Sequence, residues 1–252
     1  MNVEGSVALV TGANRGIGEA FVRELLAAGA RRVYAGARER TAAAHLEHEF
    51  PGRCAAVELD VTDPAEVAAA AAVAGDVSLL VNNAGAFANQ LLIGAPDMSA
   101  ARLEMEVNYF GTLAMCRAFA PLLGRNGGGA IVNVLSAAAI VNLPNMGGYP
   151  PSKAAARSLS TAVRAELAGQ GTQVCALIVG SVDTRMAAHV EGAKEQPADI
   201  ARAAIRALRH GIDELDTDRM AIEVRAALAL DPKGLERRLA RLLGATSVKT
   251  GR

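Results

Sequence analysis

Apolar residues fall along the chain in short, nearly unbroken runs at residues 7–10, 32–35, 55–59, 77–81, 130–135 and 173–179. Such runs, rich in β-branched residues and without polar alternation, predict strands covered on both faces. Between them the apolar positions take the spacing of helices, at 17–28, 65–73, 99–123 and 152–168. Gly29 supplies a stop for the first helix, and Thr62-Asp63-Pro64 an N-cap followed by proline near the first position of the second. Strand alternating with helix predicts an α/β fold, a doubly wound parallel sheet with helices on both faces. The alternation runs to about residue 180. Beyond it, 185–196 reads as a surface loop and 197–210 and 235–243 as helices, while 216–228 fits either state. No repeat, linker or low-complexity block marks a second domain. The expectation is one domain over 1–252, with a core in 5–186 and a substrate loop and C-terminal helical region in 185–252.

Composition narrows the function classes. The 252 residues can bury a core without disulfides or metals. Twenty-six basic residues balance 26 acidic ones, which argues against a nucleic-acid or anionic-membrane partner. Cys54, Cys116 and Cys175 are odd in number and far apart, so they read as reduced, buried thiols of a cytoplasmic protein. His45, His48, His189 and His210 form no metal-ligand spacing, and no metal is expected. The N-terminus lacks a basic segment and reads as a first strand rather than a signal peptide. The apolar stretch 67–81 is preceded by Glu66 and interrupted by Asp76, so no membrane span is expected.

Thr11-Gly12-Ala13-Asn14-Arg15-Gly16-Ile17-Gly18 follows the first strand and opens the first helix. Glycines there permit a tight turn and close approach of backbone to a pyrophosphate, and the helix N-terminus adds free N–H groups. The spacing, GxxxGxG, resembles the TGxxxGxG loop of the short-chain dehydrogenase/reductase family, which carries it on a Rossmann-type sheet. Asp60-Val61 resembles that family's adenine-contacting position, and Asn82-Asn83-Ala84-Gly85 its NNAG motif after the fourth strand. Asn83, Ala84 and Gly85 sit where an open α/β sheet admits a ligand, though Asn83 could equally brace the sheet.

NAD-selecting sites of this type end the second strand on an acid. Here that strand ends Ala37-Arg38, with no acid before Glu39. Arg38, joined by Arg15, could pair with a 2′-phosphate. By resemblance the two arginines mark the NADP(H)-preferring branch, with NAD(H) as a second possibility. Two solvated surface arginines are the alternative.

Tyr149 and Lys153 are spaced i, i+4, which puts both on one helix face. A tyrosine is a poor base near neutral pH, but an adjacent ammonium and an oxidised nicotinamide would favour the phenolate. Tyr149 could then give a proton to an alkoxide or take one from an alcohol. Ser136, at the end of the fifth strand, matches the family serine that donates to the substrate oxygen. Asn108 matches the asparagine that kinks the fourth helix and holds a relay water; a locally bonded helix residue is the alternative. Gly180, Val182 and Thr184 resemble the segment that holds the nicotinamide carboxamide.

The resemblance covers residues 5–186 and departs at three places. Pro150 and Pro151 lie between Tyr149 and Lys153, which is tolerable only in a first helical turn. Val179 stands where the family usually has proline, leaving that loop less constrained. The family's frequent VDGG ending is missing from the charged tail. Phe87, Ala137, Ala138, Ile140, Val141 and Met146 are the expected substrate lining, which suits an uncharged, apolar carbonyl or alcohol. The resemblance implies an NADP(H)-dependent oxidoreductase that forms a homodimer or homotetramer through the fourth and fifth helices. A non-catalytic NADP(H) sensor of the same fold is the alternative.

Overall fold

The computed structural model describes residues 1–188 and 190–247; His189, one of the four histidines weighed above, and the last five residues of the C-terminal region lie outside them. Seven strands are present: β1 (Val7–Thr11), β2 (Arg32–Ala37), β3 (Cys54–Glu58), β4 (Leu79–Asn82), β5 (Ala130–Val134), β6 (Gln173–Ile178) and β7 (Glu214–Asp216). They form one parallel sheet in the order β3-β2-β1-β4-β5-β6-β7. The first six match the apolar runs within two residues at each end. The seventh was not expected. It is three residues long, half-exposed and carries two acids, so no apolar run announces it.

The winding reverses between β1 and β4, and their carboxyl ends open the crevice where ligands bind in such sheets. Alternate residues of β1 enter different cores. Ala8 and Val10 join Phe21 and Leu25 of α1 (Gly16–Ala27) and Ile200 and Ala204 of a C-terminal helix. Val7 and Leu9 face Met115, Phe119, Leu159 and Val163 on the other side. Helix α1 ends in a positive-φ Gly29, as its stop signal implied. A short α2 (Ala44–Glu49), unforeseen because Leu46 is its one buried residue, precedes β3. Helix α3 (Pro64–Val73) begins as read: the Asp63 carboxylate accepts the N–H groups of Ala65 and Glu66, and Pro64 occupies the first position.

The region 99–123, expected as one helix, is three pieces. Helices α4 (Ser99–Met105) and α5 (Thr112–Arg125) flank a π-helical segment at Glu106–Gly111. The segment contains Asn108, whose carbonyl accepts the Thr112 hydroxyl at 2.9 Å. Gly111 lets the wider turn close on its neighbour, since a Cβ there would fall 2.6 Å from Val61 Cγ2. Local residue pattern cannot separate a π segment from an α-helix. Helix α6 (Tyr149–Leu167) starts three residues earlier than the apolar period indicated. The C-terminal part holds α7 (Pro197–Arg209), α8 (Arg219–Leu230) and α9 (Pro232–Ser247). The ambiguous stretch 216–228 is therefore the end of β7 and most of α8. The 185–196 segment is loop, with one 3₁₀ turn and a bridge from Val182 to Glu195.

A buried polar chain fixes α6 on the sheet. Asn82 Nδ2 donates to Asn133 Oδ1 at 2.9 Å, Asn133 Nδ2 to Ser160 Oγ at 2.8 Å, and Ser160 Oγ to the Ala156 carbonyl at 2.8 Å. Asn133→Ala strands the Asn82 donor in an apolar interior. It is expected to lower unfolding free energy by about 2–3 kcal/mol, read as a shifted urea midpoint at unchanged slope; a loss below about 0.5 kcal/mol would show that the chain is not a structural tie.

Candidate functional site

At the carboxyl end of β1 the glycine loop turns under the sheet. Gly12 has φ +63°, and a Cβ on it would lie 3.0 Å from Ala84 Cα. A Cβ on Gly18 would strike the Gly12 carbonyl at 2.2 Å. These contacts bring β1 and the β4 turn together. Thr11 Oγ1 accepts the N–H groups of Asn83 and Ala84 at 3.0 and 2.9 Å, and Asn83 Nδ2 donates to the carbonyls of Thr11 and Gly12. Asn83 is thus a brace between the loops, the second of its two readings. No side chain caps α1, so the amides of its first turn, from Gly16, Ile17 and Gly18, are free of capping partners. That fits a phosphate, as does the exposure of Arg15 and Arg38, neither of which is ion-paired. Asn14 is half-exposed on the same loop.

The Asp60 carboxylate accepts from the Thr62 amide and hydroxyl, while Val61 is buried against Gly111. Gly16 lies beneath Thr184, whose Cγ2 would be 3.2 Å from an added Cβ. Gly180, Val182 and Thr184 therefore come to the glycine loop from the far end of the sheet. Ser181 Oγ is buried without a hydrogen-bond partner in that segment. Loop amides free of capping partners, two unpaired arginines and an orphaned hydroxyl suit a dinucleotide phosphate with a polar head at the 180–184 end.

The segment is held from the tail. Asp218 Oδ2 accepts the Gly180 N–H at 2.7 Å, and Oδ1 accepts that of Ala221 at 3.0 Å, capping α8. A Cβ on Gly180 would lie 2.3 Å from Asp218 Oδ1. This carboxylate ties down the residue directly after Val179, which stands where the family usually has proline.

Tyr149 is the first residue of α6, with Gly148 as N-cap. Pro150 and Pro151 occupy the next two positions, where helix amides lack partners in any case. Lys153 follows one turn on, its Nζ 5.7 Å from the Tyr149 ring centroid and 3.0 Å from the Val134 carbonyl, to which it donates. Ser136, whose Oγ accepts the Ala138 N–H at 3.2 Å, stands close enough to Tyr149 to oppose the rise of its phenol. Asn108 is fastened on three sides: Oδ1 accepts the Ala86 amide, and Nδ2 donates to the Ala86 carbonyl and to Ser152 Oγ, each at 2.9 Å. A Cβ on Gly85 would stand 3.2 Å from Asn108 Oδ1 and 3.5 Å from Lys153 Nζ. The four candidate catalytic residues and the NNAG turn thus share one pocket wall.

Burial governs the protonation of this wall. Tyr149 is 8% exposed and Lys153 6%. Desolvation pushes the phenol up to about 12 against Ser136, which lowers it; the carboxylate of Glu104 adds to the rise. Desolvation brings the lysine down to about 8. The depressed phenol expected beside an ammonium and an oxidised nicotinamide is thus not a property of the chain by itself.

Phe87 stands edge-on to Tyr149, ring centroids 5.3 Å apart. Ile140 and Met146 are half-buried nearby in sequence, while Ala137 belongs to the core. Ala138, Ile140, Val141 and Pro151 border a recess of about 200 Å³. Sequence reasoning passed over three residues at the site. Glu104 reads as one charge on a polar helix face, Ser152 as helix filler, and Asp218 as part of an ambiguous stretch. Only Asp218 carried a usable signal, an acid directly before a helical run. Among the described residues no group of His, Cys, Asp or Glu could hold a metal, and no helix is long and apolar enough to cross a membrane.

Comparison with known proteins agrees with this geometry. The model of the short chain dehydrogenase family matches residues 6–195. The chain is 35% identical over 190 residues to 2-(R)-hydroxypropyl-CoM dehydrogenase of Xanthobacter autotrophicus, covering 71% of this chain and 76% of that one. It is 39% identical over 190 residues to galactitol 2-dehydrogenase (L-tagatose-forming) of Cereibacter sphaeroides, covering 73% and 74%. Among solved structures, a short chain dehydrogenase of Burkholderia cenocepacia in complex with NADP superposes with a TM-score of 0.89 at 45% identity, over 95% of this chain and 99% of that one. With its sheet order, its glycine loop and its Ser–Tyr–Lys wall, the chain belongs to the short-chain dehydrogenase/reductase family of oxidoreductases.

Proposed function

We propose that the chain is an NADP(H)-preferring oxidoreductase acting on an uncharged, apolar carbonyl or alcohol, with Tyr149 as its acid and base. The observation that carries this reading is Tyr149 at the start of α6, buried, with Lys153 one helical turn away on the same face and both set beside the turn after β4 at the carboxyl end of the sheet. The Burkholderia relative solved with NADP supports the cofactor, as do Arg15 and Arg38 in place of a strand-end acid. Gly12, Gly16, Gly18 and the first α1 amides would hold the pyrophosphate, Asp60 and Val61 the adenine side, and Gly180, Val182 and Thr184 the nicotinamide end. When bound, the nicotinamide supplies hydride chemistry.

The residues of the chain do the rest. Ser136 and Tyr149 would fix the substrate oxygen from two sides. The protonated phenol would give its proton to an oxygen that is gaining negative charge, and in the reverse direction would take one back. Lys153 spends one N–H on the Val134 carbonyl, which aims the ammonium along the wall and leaves its other hydrogens for a ribose hydroxyl. Asn108 holds the 86–88 segment against α6. Phe87, together with exposed Leu91, Leu92 and Ile93, gives the approach an apolar character. The three buried free cysteines suit the reducing cytoplasm. A groove between α3 and α5, bordered by Val67, Phe110 and Leu113, supports assembly into a homo-oligomer. A non-catalytic sensor would account for the departures at Pro150, Pro151 and Val179; a helix that begins at Tyr149 accommodates the two prolines in its first turn.

A panel of aldehydes, ketones and imines, followed by NADPH consumption, tests the assignment. On any substrate it turns over, Tyr149→Phe is expected to lose at least about 100-fold in kcat while NADPH affinity stays within a few-fold; retained turnover would remove the phenol from the mechanism. Arg38→Ala is expected to lower kcat/KM for NADPH by about 10- to 100-fold and leave NADH nearly untouched, since the guanidinium would meet only the extra phosphate. Equal wild-type efficiency with both cofactors contradicts the preference. Stability carries a further sign. An unfolded lysine keeps its proton to about 10.4, whereas buried Lys153 releases it near 8. Between those values the unfolded state binds more protons, so stability rises with pH. The buried thiols of Cys54, Cys116 and Cys175, pushed up to about 11 or 12 by desolvation, work the other way in both proteins, so urea midpoints measured at pH 7.5 and 9.5 are expected to change more favourably for the wild type than for Lys153→Met; parallel changes would refute it.

A further inference from the structure

Glu104 is a carboxylate buried to 1% exposure with no cationic partner, and no step proposed above uses it. Burying a charge is costly unless it is repaid by hydrogen bonds or a counter-charge. Glu104 finds its compensation in backbone alone. Its Oε1 accepts the Ala88 N–H at 2.8 Å, and its Oε2 packs directly against the backbone of Gly148. Gly148 caps α6 directly before Tyr149, and Ala88 follows Phe87, the ring set against the Tyr149 phenol. The fit is close: a Cβ on Gly148 would lie 2.6 Å from Glu104 Oε2 and 2.9 Å from Ala101 Cα, so only glycine lets α4 and the start of α6 approach this far. Asn108, one helical turn further on, ties Ala86 to Ser152 in the same manner. The 86–88 segment and the first turn of α6 are thus sewn together twice, once by a neutral amide and once by a charge.

We propose that Glu104 is a positioning residue that clamps the Phe87–Ala88 wall to the Gly148–Tyr149 helix start and so sets the phenol's approach to the substrate. This rests on the oxidoreductase reading above for its catalytic consequence, and on geometry for the clamp. Distance from the glycine loop makes the clamp separable from cofactor binding. A displaced Tyr149 would slow proton transfer without loosening the dinucleotide, because reacting atoms tolerate little misplacement.

The test compares wild type, Glu104→Gln and Glu104→Met at matched thermal stability. Glutamine keeps one acceptor and the shape; methionine keeps the volume and no acceptor. Amide hydrogen exchange at Ala88 and Gly148 is expected to quicken in methionine most and in glutamine partly. On a turned-over carbonyl, kcat is expected to fall in the same order, about tenfold or more for methionine, while the Kd for NADPH stays within twofold. Unchanged exchange at both amides overturns the clamp whatever the activity. Exchange that quickens without loss of kcat, or a loss matched by weaker NADPH binding, overturns the positioning role. A wild-type chain that turns over nothing defeats the oxidoreductase reading and the catalytic role together, and the exchange data then report the clamp separately.

Discussion

Proline cannot donate a backbone hydrogen bond, and two in succession at 150 and 151 can enter a helix only in its first turn. That constraint decides where α6 begins, and the start of α6 decides where the phenol and the amine stand. Tyr149 becomes the first helical residue, Lys153 falls one turn along the same face, and Gly148 is left as the cap through which α4 reaches the helix. The polar chain from Asn82 through Asn133 to Ser160 then holds the helix at a fixed height on β5, two residues after which Ser136 stands. Serine, tyrosine and lysine meet because one helix has a single permitted starting point and a single permitted seat.

Polar groups inside this wall are held by backbone more than by one another. Lys153 donates to the Val134 carbonyl, Glu104 accepts from Ala88, and Asn108 both donates to and accepts from Ala86. Backbone partners do not change protonation state and have few conformations to lose, so such contacts keep their geometry through a catalytic cycle. Their cost is the desolvation that moves the phenol and the ammonium away from their ordinary pKa values.

Much of this was legible in the chain because the decisive signals are local. Unbroken apolar runs such as residues 173–179 announce buried strands, and Asp63-Pro64 announces a helix start. Tyr149 and Lys153 share a face whichever tertiary context surrounds them. What stayed hidden depends on contacts across the sequence. Strand β7 is three residues defined by pairing to Ala176, Leu177 and Ile178 and by no pattern of its own. The π segment owes its form to Gly111 meeting Val61, fifty residues earlier in the chain. Glu104 occupies a helix where a charge normally marks the solvated face, and only the fold turns that position inward. The bracing role of Asn83 could not be read until Thr11 stood opposite it.

Asp218 carries a consequence for how such chains can be recombined. The family match ends at residue 195, yet the carboxylate that seats Gly180 stands beyond that border. The stretch matched by the family model is therefore braced by a residue from the stretch beyond it. A chimera that borrows another member's tail also borrows, or forfeits, the latch on the 179–184 turn, so graft boundaries belong on either side of the whole pair, that turn with the 217–221 corner, and never between them.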